Sequence, residues 1–144
     1  SMSALRLPYS TLSPAAYQGL LATKSALDHS SLGKPLIELV YLRVSQINGC
    51  AFCLEMHAKA LRAGGMAQAK LDSLAGWQVS AQFDARERAA LAWTESLVDV
   101  AHTHAPDSGF ASLQPHFSDT EISDLSFAIA LMSAFNRLAI GMRQ

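Results

Sequence analysis

The sequence is poor in charge, in cysteine and in any apolar run long enough to demand a membrane. Of 144 residues, 16% are charged, 11 basic and 12 acidic, for a formal net charge of -1; a typical soluble domain carries about 25%. Without an excess of either sign, the chain has no bulk field for nucleic acid or anionic lipid, and neither is an expected partner. Its most apolar stretch, Leu125 to Phe135, is bracketed by Asp124, Asn136 and Arg137, short of the roughly 18 residues that a membrane span needs. No basic region followed by an apolar run opens the sequence, so no secretory signal and a cytoplasmic location are expected, and Ser1 ahead of Met2 reads as a remnant of expression. Repeats and low-complexity segments are missing too.

What is present is apolar. Half of the residues are hydrophobic (50%), which excludes disorder as the main state. The length fits one domain, residues 1–144. So little charge on so small a body leaves apolar surface over, and a homo-oligomer is the expected way to cover it.

Periodicity points to helices throughout. Ser13-Pro14 opens AAYQGLLATKSALDH with a capping residue and a proline at the first helical position. Gly33-Lys34-Pro35 starts LIELVYLRVSQI, in which Leu36, Ile37, Val40 and Val44 recur at three- and four-residue spacing, and Asn48-Gly49 ends it with a turn. CAFCLEMHAKALRA follows at once and stops at Gly64-Gly65, and a short segment, MAQAKLDSLAGW, comes next. Asp84 with Glu87, and Ser118 with Glu121, form capping boxes for a helix from about Asp84 to His102 and a last one running to about Ile140. Thr103 to Phe117, holding Pro106, Gly109 and Pro115, reads as a loop with one short turn. Alternation at period two is nowhere long enough for a sheet. The expected class is all-α, a bundle of about six helices.

The chemistry gathers in one helix. Cys50 and Cys53 are the only cysteines; they form a CxxC at a helix start, and His57 follows Cys53 at i, i+4, on the same face about 5 to 6 Å away at Cβ. The positive end of the helix macrodipole favours thiolate, and the imidazole can take the proton. Closing the pair would require Cβ atoms near 3.8 Å, closer than a regular helical pair, so Cys50 should sit in the adaptable first turn, which Gly49 permits. If the two helices flanking Asn48-Gly49 form an antiparallel hairpin, the rise per residue sets Cys53, His57 and Glu38 about 6, 12 and 15 Å below its apex. Sulfur, imidazole and carboxylate then stack in the order of a nucleophile, its base and the group that orients the base.

The run from Glu38 to His57, ELVYLRVSQINGCAFCLEMH, resembles the signature of the AhpD-like alkylhydroperoxidases of the carboxymuconolactone decarboxylase superfamily: Glu, eleven residues, then Cys-x-x-Cys-x-x-x-His. The closing FNRLAIG resembles the final helix of the same group. The resemblance implies an all-α AhpD-like fold assembled as trimers or hexamers, and a thiol-dependent peroxidase. Cys53 would attack the hydroperoxide and become a sulfenic acid, Cys50 would resolve it to a disulfide, His57 would shuttle the proton and Glu38 would complete the relay. No phosphate loop or dinucleotide fingerprint is present, so no bound cofactor is expected. The resemblance implies an external dithiol reductant, a lipoyl group or a thioredoxin-like protein.

Other readings compete with this one. Cys50, Cys53, His57 and Glu38 could supply four zinc ligands, although no second cysteine pair exists and no metal is expected. The cysteines could be inert core residues, and Glu38 a buried partner of Arg43 or Arg137. His102 and His104 near Asp99 have a faint metal-ligand spacing, but a cation at a helix C-terminus accounts for them better. Among Tyr17, Phe52, Trp77 and Trp93, the aromatics that could line a pocket, only Phe52 has a position that argues against simple core packing. At the level of function, a non-redox decarboxylase or lactone-processing enzyme and a non-enzymatic redox sensor or binding module stand beside the peroxidase.

Overall fold

In the computed structural model, which describes residues 4–144, glycines bracket the central helix. Gly33 (φ 86°) turns the chain into it and Gly49 (φ 72°) ends it in the left-handed region, where a side chain would be strained. Ser1 and Met2 lie outside the described residues. In chain order the helices are α1 (Tyr9–Leu12), α2 (Pro14–Leu27), α3 (Lys34–Asn48), α4 (Ala51–Ala63) and α5 (Gln68–Asp72), then a 3-10 helix, Leu74–Val79. They continue with α6 (Ala85–Val98), α7 (Val100–Thr103), α8 (Asp107–Ala111) and α9 (Asp119–Met142). No strand occurs among the described residues, and the fold is all-α.

The middle of α3 is the core, with Leu39, Val40, Tyr41 and Val44 fully buried. One side packs with α6, α9 and the end of α2 through Leu27, Ala90, Leu125, Ile129 and Met132. The other packs with α4, α5 and the 3-10 helix through Leu61, Leu71, Leu74 and Trp77. α3 is therefore apolar almost all round, as a helix buried on both sides must be. α9 is long and apolar enough by length and composition to cross a membrane, with a mean hydropathy of 1.5 over its best window. It follows the expected course from the Ser118 cap to about Ile140, and the polar residues that bracket its apolar stretch are bonded inside the bundle: Asp124 accepts from Ser30 Oγ at 2.6 Å, and Asn136 donates to Ser45 of α3. Buried against α2, α3 and α6, α9 is a core helix here.

Both expected capping boxes form, with Asp84 and Ser118 accepting from the N3 amides and Glu87 and Glu121 reaching back. Two expectations need adjusting. The helix read as Asp84 to His102 breaks at Asp99 (φ -97°, ψ 34°) into α6 and α7, and His104 ends α7 at φ 53°. α1 is four residues long, too short to leave a periodic signal.

Candidate active site at the head of the α3–α4 hairpin

The hairpin turn places the cysteines. With Gly49 in the left-handed region, the amides of both Gly49 and Cys50 donate to Ser45 O, at 2.9 and 3.1 Å. Cys50 is left as the extended N-cap of α4 (φ -86°, ψ 98°) and its sulfur accepts from the Cys53 amide at 3.4 Å. Because Cys50 stands off the helix, its Cα lies 5.3 Å from that of Cys53, and the two are joined as a disulfide. The expected distortion in the first turn is thus present. Both are almost fully buried, against Ala139 of α9.

One turn further along α4, His57 is 1% exposed. Glu38 faces α4 from α3 as the hairpin register requires, with Oε2 2.7 Å from His57 Nδ1. In the neutral imidazole a carboxylate accepting from Nδ1–H leaves Nε2 as the basic nitrogen. Nε2 is buried and has no hydrogen-bond partner among the described residues. Neither alternative partner holds Glu38: Arg43 binds Glu95, and Arg137 donates to Ser133 O. On its outer side Glu38 borders a wide depression of about 640 Å³, with Lys34 and Lys70 on its walls.

Cys53 looks into a separate cleft of about 190 Å³. Its walls are helical stripes: Phe52 and Met56 beside Cys53 on α4, Met132, Phe135 and Ala139 on α9, and Tyr17, Leu21 and Lys24 on α2. Tyr9 and Gln144 close one end, bonded side chain to side chain. Cys50 opens instead to a shallow depression of about 140 Å³ shared with Gly49, Ile140 and Arg143. Of the aromatics considered from the sequence, Phe52 and Tyr17 line the cleft. Trp77 and Trp93 are core residues, their indole N–H groups donating to Glu95 and Ser126.

Two residues of the site escaped the sequence reading. Tyr41 is fully buried with its ring 5.2 Å from that of His57, and its hydroxyl has no partner among the described residues. Burial pushes its pKa well up, and the nearby Glu38 and Asp28 carboxylates add to the shift, so the phenol is neutral. The only signal was its place three residues after Glu38, on the same face. Asn136 donates to Ser45 Oγ at 3.1 Å and accepts from Asn48 at 3.1 Å, tying the hairpin apex to α9. A polar residue inside the apolar FNRLAIG was its signal. His102 and His104 build no cluster: His102 bonds Asp99 at 2.6 Å on the surface, and no group of three or more metal-ligating side chains occurs among the described residues.

A family model for carboxymuconolactone decarboxylases matches residues 14–96, more than half of the chain. The chain belongs to this family. A Bacillus subtilis relative, the uncharacterized protein YdfG, is 28% identical over 137 residues, covering 95% of this chain and 93% of its own. Among solved structures, one from Agrobacterium tumefaciens is 37% identical with a TM-score of 0.93, covering 98% of this chain and 97% of that one. It is described as a protein of unknown function and a candidate antioxidant defence protein AhpD. A peroxidase-related protein from Ralstonia eutropha, described as an alkylhydroperoxidase AhpD core, is 25% identical with a TM-score of 0.80, over 93% of this chain and 73% of that one. The fold of this carboxymuconolactone decarboxylase family member is thus AhpD-like, with the CxxC at the head of its central hairpin.

Proposed function

We propose that this protein is a thiol-dependent peroxidase that reduces hydroperoxides through the Cys50–Cys53 disulfide, with Glu38 and His57 as its proton relay. The observation that carries the reading is a buried Glu38–His57 pair, 2.7 Å apart, one helical turn from a disulfide that opens on an apolar cleft. The likeness to AhpD-type proteins supports it.

In the reduced protein, His57 Nε2 takes the Cys53 thiol proton, and the imidazolium is steadied by Glu38. The Cys53 thiolate, favoured by the N-terminus of α4, attacks the outer peroxide oxygen. The O–O bond breaks, the alcohol leaves with the proton returned by His57, and Cys53 becomes a sulfenic acid. The Cys50 sulfur then displaces water from it and forms the disulfide. An external dithiol, a lipoyl group or a thioredoxin-like protein, returns two electrons and is itself oxidised to a disulfide; the depression beside Cys50 is a surface it can approach. Cys53 is assigned the first attack because it faces the cleft and shares a helix face with His57. A decarboxylase without redox chemistry would have no use for the paired cysteines.

The cycle requires a reducing compartment, and the cytoplasm is the proposed one. Apolar residues left in solvent, Phe127 at 60% exposure in the middle of α9 together with Val100 and Phe110, support a homo-oligomer, a trimer or hexamer.

The test is stoichiometric. Reduced protein should consume about one equivalent of hydroperoxide and end as the Cys50–Cys53 disulfide by mass spectrometry. Cys53→Ser should consume none, and Cys50→Ser should stop at a sulfenic acid trapped by dimedone. Peroxide consumption that survives in Cys53→Ser overturns the mechanism.

A further inference from the structure

The cleft at Cys53 carries one charge. Among the described residues that line it, every other side chain is apolar or neutral, and Lys24 is the one cation. A peroxide with a plain hydrocarbon body has no use for an ammonium group, and desolvating one costs free energy unless an anion replaces the water. Asp28 lies 3.9 Å from Lys24 with both side chains about a third or more exposed, a pair too loose and too wet to hold it. The ammonium group, loosely paired and exposed at the end of the cleft, can exchange Asp28 for the carboxylate of a ligand.

The helix register locates that charge relative to the sulfur. α2 and α9 run antiparallel, since Tyr17 packs on Phe135 with ring centroids 6.4 Å apart, while Ser30, further along, bonds Asp124, further back. Ala139 packs on the cysteines. From Ala139 back to Phe135 is about 6 Å, and from Tyr17 on to Lys24 about 10 Å, so the Lys24 backbone stands about 16 Å from the sulfur along the cleft. Its ammonium, 3.9 Å from Asp28 one turn further along α2, stays at that far end of the cleft. Leu21, Met56, Met132 and Phe135 line the span between it and Cys53.

We infer that the cleft is built for an amphipathic hydroperoxide, an apolar chain with a carboxylate at its far end, whose carboxylate Lys24 receives while the peroxide group meets Cys53. This rests on the peroxidase reading and names its substrate class. A carboxylate on the ammonium makes a charge-assisted hydrogen bond at the water-exposed end, the apolar walls bury the chain, and the two ends fix which oxygen reaches the sulfur.

The experiment compares 10-hydroperoxydecanoate with decyl hydroperoxide in steady-state turnover driven by dihydrolipoamide. The wild-type protein should favour the carboxylate by about tenfold in kcat/KM at low salt, less at high salt. The preference should fall to about onefold in Lys24→Met and persist in Lys24→Arg. A ratio near one in the wild type, or one untouched by Lys24→Met, overturns the inference. Binding of decanoate and 1-decanol to the oxidised protein, measured by calorimetry, needs no turnover. Tighter binding of decanoate that Lys24→Met abolishes supports the site even if peroxide is not consumed, which would sink the peroxidase reading alone. Equal binding of the two probes overturns the site and leaves that reading standing.

Discussion

Among the described residues are two histidine–carboxylate pairs of nearly the same length. His57 Nδ1 lies 2.7 Å from Glu38, and His102 Nδ1 lies 2.6 Å from Asp99. The first pair has side chains 2% and 10% exposed; the second, 82% and 57%. Bond length therefore says nothing about purpose here. Low dielectric strengthens the buried pair and makes its unpartnered Nε2 a strong acceptor, whereas water screens the surface pair and competes for both members. Glu95 adds a contrast of another kind. It is partly buried, yet Arg43 gives it two bonds, at 2.9 and 3.1 Å, and the Trp77 indole a third at 2.7 Å. A carboxylate so fully engaged is structural, and one that holds a histidine with a free nitrogen is available for proton transfer.

The largest expected effect separates the two pairs directly. Glu38→Gln should lower the rate of peroxide reduction by about 10²- to 10⁴-fold, while Asp99→Asn should leave it within about twofold; equal losses would erase the distinction. Next, Glu95→Ala should cost about 1–3 kcal/mol in urea unfolding by leaving Arg43 and Trp77 unpaired, with Cys53 alkylation by iodoacetamide unchanged. Altered alkylation would make Glu95 part of the site. The smallest effect concerns a carboxylate held by backbone. The amide of Ser118 holds the Glu121 carboxyl below its ordinary pKa, with Ser31 and Arg86 helping. A lowered folded-state value means stability that is present above the unfolded carboxylate range and is lost as pH falls through the folded value. Ser118→Ala should cost about 1 kcal/mol at neutral pH, and Glu121→Gln, which removes the titrating group, should flatten the acid limb of the stability curve, both measured by thermal unfolding from pH 3 to 7.

The sequence was most readable where chemistry is local. Glu38, Cys50, Cys53 and His57 sit in one hairpin, so helix period and a glycine turn were enough to bring the carboxylate to the imidazole and to foresee Cys50 in a distorted first turn. The capping boxes were legible because each spans four residues. The cleft was not, because it joins stripes from α2, α4 and α9, and the antiparallel register of α2 on α9 depends on packing that no local pattern encodes. Tyr41 and Asn136 escaped for a related reason: what matters is which atoms surround them, and those come from distant segments. The break at Asp99 shows the same limit, since the helical pattern continues across it in sequence.

Cys50 and Cys53 are three residues apart, and so short a loop removes little freedom from the unfolded chain. On a chain-entropy basis the crosslink contributes about 2 kcal/mol, against more than 4 for one closing a loop of about 100 residues. Making or breaking it therefore shifts the folding equilibrium by about thirtyfold, far less than a crosslink over a long loop would. The protein can stay folded in either redox state, and its thermal midpoint should stand about 5–8 °C higher in the oxidised one.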